Sequence, residues 1–179
     1  MYYRRAFIEN SYVFITVVTS KRRHILVKNI NLLRKSIKNA KRFHLFEIYS
    51  AVILPDHFHI IIKPENIYEY PQIIKLIKSY FSKNIDILSI NNYELSKSQQ
   101  NKKEKDIWQR RYWEHTIKDE QDLYRHFDYI HYNPVKHGYV KNVKDWKYSS
   151  FHKFVKKEFY TEHWGCGEEV KSIENLFIE

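Results

Sequence analysis

The segment His57-Phe58-His59-Ile60-Ile61-Ile62 constrains the fold of this chain more than any other. It follows Pro55-Asp56, a pair typical of turns, and Pro64 closes it shortly afterwards. A short apolar run between such residues predicts a buried strand, whose side chains alternate between the two faces of a sheet. Both imidazoles therefore project from one side of the sheet, where they form a ready pair of ligands.

Strand and helix patterns follow one another along most of the chain. Runs of β-branched and aromatic residues predict strands, whereas apolar residues at a spacing of three and four predict amphipathic helices. The order strand, helix, strand, strand, helix, strand is that of a ferredoxin-like α+β fold, an antiparallel sheet with helices packed on one face. The predicted segments are strands at 11–19, 45–54, 57–63 and 107–117 and helices at 28–41 and from Pro71 onwards.

A further, C-terminal helix follows the last predicted strand. Asp119 is placed as its N-cap, and we expect Pro134 to end it after Asn133. Tyr129 and Asn133 lie four residues apart, so this helix presents a phenol and an amide oxygen on one face. Tyr132 is a rival reactive phenol, because it lies only about 60° around the helix from Asn133, against about 40° for Tyr129. Leu123, Phe127 and Ile130 form a different stripe, which we expect to pack on the sheet. Tyr129 is then left without a packing role.

The composition limits the classes of function. The 179 residues are 43% hydrophobic and 17% aromatic, which predicts one globular domain over 1–179. Lys and Arg number 31 against 21 Asp and Glu, and the net charge of +10 favours a polyanionic partner such as nucleic acid. The three glycines, at 138, 165 and 167, allow neither a P-loop nor a GxGxxG motif, so we expect no nucleotide cofactor.

Cysteine content and hydropathy indicate a cellular location. Cys166 is the single cysteine, which excludes an intramolecular disulfide and suits a reducing compartment. No apolar run reaches the roughly 18 residues of a membrane span, and the start of the chain lacks the apolar stretch of a signal peptide. We therefore expect a cytoplasmic protein with no membrane partner.

Aromatic and basic residues interleave in Trp108-Gln109-Arg110-Arg111-Tyr112-Trp113, a mixture typical of nucleic-acid binding. We expect the two arginines to contact phosphates and the two tryptophans chiefly to pack. The polar stretch 84–106 has no periodicity and is predicted to be a flexible basic loop. The candidate DNA contacts are Arg4, Arg5, Lys102, Lys103, Arg110, Arg111 and Lys136.

Taken together, these segments resemble the HUH single-strand transposases that use one tyrosine, and within them the REP-associated tyrosine transposases of bacteria. The resemblance covers about residues 3–165, and its most specific part is the block Asp-Tyr-Ile-His-Tyr-Asn-Pro-Val-Lys-His-Gly at 128–138. The HxH pair alone is weak evidence, since alternating histidines arise by chance. The other matching segments are 16–19 with Arg22-Arg23, 54–59, 107–115 and 145–151.

The resemblance implies a DNA strand transferase. His57, His59 and Asn133 would hold one divalent metal ion, and Tyr129 would attack the scissile phosphate to leave a 5′-phosphotyrosine and a free 3′-hydroxyl. The family implies Mg²⁺ or Mn²⁺, whereas imidazole ligands by themselves suit zinc and later transition metals better, so the ion stays open. The expected substrate is single-stranded or hairpin DNA, the expected state is a monomer or homodimer, and 141–179 is a C-terminal extension.

Other functions stay open at this point. The sheet could be a platform that binds nucleic acid without cleaving it, or the site could hydrolyse a phosphodiester rather than transfer it. Asp56 is either a plain turn residue or the hydrogen-bond acceptor that orients a ligand histidine.

Overall fold

The computed structural model describes residues 7–87, 90 and 105–166. Its strands are β1 (Val13–Val18), β2 (Phe46–Ile53), β3 (His57–Pro64) and β4 (Trp113–Thr116). Its helices are α1 (Ile30–Ala40), α2 (Tyr70–Asn84), α3 (Glu120–Lys136) and α4 (Phe151–Lys156). Short 3₁₀ turns lie at Ser20–Arg22, Ile67–Glu69 and Val143–Asp145. The predicted order of strands and helices is confirmed.

All four strands pair antiparallel, in the order β2-β3-β1-β4. β3 is therefore an inner strand, and its register with β1 sets His57 opposite Val18 and His59 opposite Thr16. Every residue of β3 except Lys63 is buried, which explains the continuous apolar run that follows the histidines.

Helices cover both faces of this sheet. α1 and α2 pack together over the face that includes Val13, Ile15 and Phe58. α3 and α4 cover the opposite face, against Phe14 and Ile61. Phe14 lies on the opposite face from Val13 and Ile15 because successive side chains of a strand point to opposite faces of the sheet. The predicted ferredoxin-like antiparallel α+β fold is confirmed, and the additional helix α3 closes the second face.

The fourth strand is shorter than predicted, since β4 begins at Trp113 rather than at residue 107. The segment before it leaves the ladder and packs at the end of β1. Trp108 makes an isolated bridge with Thr19, and its indole N–H donates to the carbonyl of Lys78 on α2 at 3.1 Å. Trp108 is therefore a packing residue, as expected.

The last helix continues past its proline. α3 includes Pro134 and ends at Lys136, so the prediction that the helix would end after Asn133 is wrong. A proline removes one intrahelical hydrogen bond, here the bond to the carbonyl of the residue four positions earlier. The final turn is still closed, because the N–H of His137 donates to the carbonyl of Asn133 at 3.0 Å.

The segment after α3 returns to the sheet and pairs with the last residues of its edge strand β2. The N–H of Ile53 donates to the carbonyl of Tyr148, and the N–H of Ser150 donates to that of Ala51, each at 2.8 Å. An edge covered in this way is not open to strand pairing with another chain. Most of the predicted loop 84–106 lies outside the described residues. None of the helices in the described ranges is long and apolar enough to cross a membrane.

Candidate active site

The two histidines of β3 project towards α3 and are buried, with His57 1% and His59 0% exposed. Nδ1 of His57 lies 2.7 Å from Oδ1 of Asp56, and Nδ1 of His59 lies 2.7 Å from Oγ1 of Thr16. Because a carboxylate only accepts, Nδ1 of His57 carries the proton and donates it to Asp56. The lone pair of that ring is therefore on Nε2, which is buried, as is Nε2 of His59.

Asp56 is itself held in place by a second partner. Nη1 of Arg22 donates to Oδ2 of Asp56 at 3.3 Å, so the two carboxylate oxygens serve two different groups. Burial raises the pKa of Asp56, but the hydrogen bonds and charges of His57 and Arg22 outweigh burial, and the pKa lies below its ordinary value. Asp56 thus stays ionised and orients His57, which makes it more than a turn residue.

α3 carries the other half of the site on one face. Tyr129 and Asn133 on this helix and His137, its C-cap, follow each other at intervals of four, about one helical turn apart. The ring of Tyr129 lies 5.2 Å from that of His59, and the ring of His137 lies 5.1 Å from that of His57. By this spacing Asn133 lies between Tyr129 and His137 on the same face of the helix.

Asn133 has an unusual environment. The residue is 0% exposed, yet neither Oδ1 nor Nδ2 makes a hydrogen bond with any group in the described part of the chain. A buried amide without a partner costs about 1–3 kcal/mol. A buried amide that destabilises the fold in this way is typical of a residue whose role is to bind a ligand.

Tyr129 is buried, contrary to the prediction that it would have no packing role. It is 1% exposed, and its ring makes an edge contact with Phe14 at 6.0 Å as well as with His59. The α3 stripe that faces the sheet is wider than the three apolar residues singled out from the sequence, because Phe14 offers Tyr129 a surface on β1. Packing fixes the ring next to the histidines.

One charged group lies against the tyrosine. Nζ of Lys136 lies 4.9 Å from the centre of the Tyr129 ring, although Lys136 itself is exposed. The cation therefore lies over the face of the buried phenol ring. The sequence predicts Lys136 only as a DNA contact, and the structure adds this second position for its charge.

The rival phenol points elsewhere. Tyr132 packs beside Gly165, where a Cβ built on the glycine would lie 3.5 Å from Cδ2 of Tyr132. Gly165 has φ +80° and would also clash with Val143 if it carried a side chain. Tyr132 therefore supports the C-terminal segment, and Tyr129 is the tyrosine that meets the histidine pair.

Among the candidate DNA contacts, Arg110 and Arg111 are exposed just before β4. The backbone there is anchored, because Nζ of Lys78 donates to the carbonyls of Gln109 and Arg110 at 2.8 and 3.2 Å. The other candidates, Arg4, Arg5, Lys102 and Lys103, lie outside the described residues.

The fold and the sequence match known proteins. A family model described as "Transposase IS200 like" matches residues 7–133, which is most of the chain and includes His57, His59, Tyr129 and Asn133. The class of the protein is therefore that of the IS200-like transposases.

Similar proteins narrow that class. The chain is 43% identical over 171 residues to a Haemophilus influenzae protein described provisionally as a REP-associated tyrosine transposase, covering 94% of this chain and 96% of that protein. It is 36% identical over 164 residues to the REP-associated tyrosine transposase of Escherichia coli K12, covering 90% and 89%. A solved structure of a REP-associated tyrosine transposase bound to a REP hairpin matches with a TM-score of 0.78 and 33% identity, covering 99% and 96%. The chain belongs to the REP-associated tyrosine transposases, which cleave and rejoin DNA.

Proposed function

We propose that this transposase cleaves and rejoins single-stranded DNA beside hairpin-forming repeats, through a 5′-phosphotyrosine on Tyr129. The observation that carries the proposal is the contact of the Tyr129 and His59 rings, 5.2 Å apart, within one chain. The hairpin substrate is supported by the related structure, which is bound to a REP hairpin. The net charge of +10 supports a polyanionic substrate.

We assign a divalent metal ion, Mg²⁺ or Mn²⁺, to His57, His59 and Asn133. The buried amide of Asn133, which no described group satisfies, supports this assignment, because its oxygen is a suitable ligand for such an ion. Protonation of His57 on Nδ1 leaves the Nε2 lone pair for coordination. The bound ion would polarise the scissile phosphate and stabilise the charge that develops on it.

The protein groups would act as follows. The Tyr129 oxygen forms a bond to phosphorus as the bond from phosphorus to the 3′ oxygen breaks, so the phosphate ester is retained on the enzyme. The phenol proton goes to solvent, and the 3′ oxygen takes up a proton to become a hydroxyl. The Lys136 ammonium, 4.9 Å from the ring centre, would offset part of the negative charge that develops on the reacting groups. A second DNA end then reverses the step by attacking the tyrosine ester.

Replacement of the nucleophile tests the proposal. With a single-stranded hairpin oligonucleotide and Mn²⁺, the wild type should form a covalent adduct visible on a denaturing gel, and Tyr129→Phe should form none. Tyr132→Phe is the matched control, because it removes the same hydroxyl from the same helix and should keep the adduct. An adduct in Tyr129→Phe, or its loss only in Tyr132→Phe, would contradict the proposal.

Metal removal separates cleavage from plain binding. EDTA should abolish the adduct and leave most of the hairpin affinity in a filter-binding titration across salt, since phosphate contacts by basic residues supply that affinity. A product that forms equally with and without EDTA would remove the metal from the mechanism. Product without any trapped tyrosine ester would indicate hydrolysis instead of transfer.

A further inference from the structure

A second group of metal-ligating side chains lies beside the proposed catalytic site and takes no part in it. His115 on β4 and Asp122 and His126 on α3 each offer one ligand atom, and these atoms all lie within 4.8 Å of one another. Nε2 of His115 lies 2.7 Å from Oδ2 of Asp122, and Nδ1 of His126 lies 3.1 Å from Oδ1. The two imidazole rings are nearly parallel, with centres 4.9 Å apart.

We propose that His115, Asp122 and His126 bind one divalent transition-metal ion, with Zn²⁺ as the preferred ion. Two imidazoles and one carboxylate are a borderline donor set that suits zinc and its neighbours, not Mg²⁺. A bound ion would cross-link the first turns of α3 to the strand β4. The two elements are joined by a short turn, so the ion would hold that turn in one conformation.

The burial and charge of the three groups support an ion here. His126 is 2% exposed, and its Nε2 has no hydrogen-bond partner in the described part of the chain. Nδ1 of His126 donates to the backbone carbonyl of Asp122 at 2.8 Å, so the lone pair of this ring is on Nε2. Oδ2 of Asp122 accepts hydrogen bonds from Nε2 of His115 at 2.7 Å and from the N–H of Lys118 at 3.0 Å, which hold the carboxylate in place. A carboxylate beside two imidazoles is a donor set suited to a divalent cation.

The position of this site links it to the nucleophile helix. Phe14 on β1 separates the two clusters, with ring centres 4.7 Å from His126 and 5.6 Å from His59. Its edge also meets Tyr129, which lies three residues after His126 on α3. An ion at the start of α3 would therefore steady the same helix that carries Tyr129, without touching the reacting phosphate.

The test uses full-length protein stripped of metal, in which His57→Gln and His59→Gln remove the proposed catalytic site. Titration with Zn²⁺ against a chromogenic chelator should show one equivalent bound in this background. Adding Asp122→Asn or His126→Gln should remove that equivalent, whereas adding His163→Gln, an exposed histidine elsewhere, should leave it. One equivalent of Zn²⁺ should also raise the thermal midpoint of the background protein and not that of the Asp122→Asn protein.

Equal zinc binding with and without Asp122→Asn, or no binding in the background, would overturn the proposal and leave Asp122 as a hydrogen-bond acceptor for two histidines. Should the background fail to fold, the same comparison is made with wild-type protein, which should bind one equivalent more than Asp122→Asn alone. The readout is binding and not cleavage, so failure here says nothing against the function proposed for Tyr129.

Discussion

At the scale of single residues, the proposed site includes side chains that hold its histidines in place. Thr16 is the clearest case, since its hydroxyl is the partner of Nδ1 of His59 at 2.7 Å and it is 4% exposed. Removal of such a partner typically weakens metal binding or activity by about 10–100-fold. We expect Thr16→Val, which keeps the shape and loses the hydroxyl, to reduce Mn²⁺ affinity and adduct formation in that range.

The matched variant for this prediction is Thr16→Ser, which keeps the hydroxyl and should restore most of both properties. Mn²⁺ affinity is measured by electron paramagnetic resonance, and circular dichroism checks that the valine variant folds. If Thr16→Val and Thr16→Ser lost affinity equally, the effect would come from packing in β1 and not from the hydrogen bond to His59.

The residues of the site differ in how far the sequence reveals them. Strand alternation was sufficient to place His57 and His59 on one side, and helical spacing to place Tyr129 with Asn133. Thr16 could not be found in this way, because its contact with His59 depends on the register of two strands 43 positions apart. The position of the Lys136 ammonium over the Tyr129 ring depends on the conformation of the lysine side chain. Residue spacing along a helix does not predict such a conformation.

At the scale of elements, α3 is the helix on which both proposed sites depend, and its start is set by one side chain. Oδ1 of Asp119 accepts a hydrogen bond from the N–H of Asp122 at 2.8 Å, as the sequence signal for an N-cap predicted. Loss of such a cap costs about 1 kcal/mol. We expect Asp119→Ala to lower the free energy of unfolding by that amount in urea denaturation.

Asp119→Asn is the control, because asparagine caps a helix about as well as aspartate and should cost little. Equal losses in the two variants would assign the effect to the charge at the helix start instead of the capping bond. Both measurements are made without added metal, so that a metal ion bound at the neighbouring Asp122 does not change the free energy of unfolding.

The end of α3 shows why the sequence predicted one terminus of the helix and not the other. A cap acts locally, within three residues, so its pattern is visible in the chain itself. Whether Pro134 ends the helix depends on what surrounds it, and Pro134 is buried. Burial of this residue offsets the one hydrogen bond that the proline removes.

At the scale of the whole molecule, a buried polar network joins the sheet, α3 and the C-terminal segment. His131 on α3 is 0% exposed, and its Nε2 lies 2.8 Å from Oγ of Ser150 and 3.2 Å from Oγ of Ser50. Its Nδ1 lies 3.3 Å from the hydroxyl of Tyr160, which donates to Asp128 at 2.8 Å. The sequence showed none of this, because the members come from segments up to about a hundred residues apart and resemble ordinary surface residues.

This network predicts the pH dependence of stability. Burial lowers the pKa of His131 to about 3, whereas the unfolded chain titrates near 6.5. The unfolded state therefore binds one more proton between these values, and stability is lost as the pH falls below about 6.5. From pH 7.5 to 5.0 we expect His131 to account for a loss of about 2 kcal/mol in the free energy of unfolding.

His131→Gln tests this, since glutamine keeps a donor and an acceptor but does not titrate. The variant should be less stable at pH 7.5, yet it should lose about 2 kcal/mol less than the wild type on going to pH 5.0 in urea denaturation. His152→Gln, an exposed histidine on α4, should keep the wild-type loss. Burial raises the pKa of Asp128, which belongs to the network through its hydrogen bond with Tyr160. The measurements stop at pH 5.0 so that protonation of Asp128 contributes little to the change in stability. If the free energy of unfolding changed with pH equally in His131→Gln and in the wild type, His131 would have the same pKa in the folded and the unfolded protein. The prediction would then be wrong.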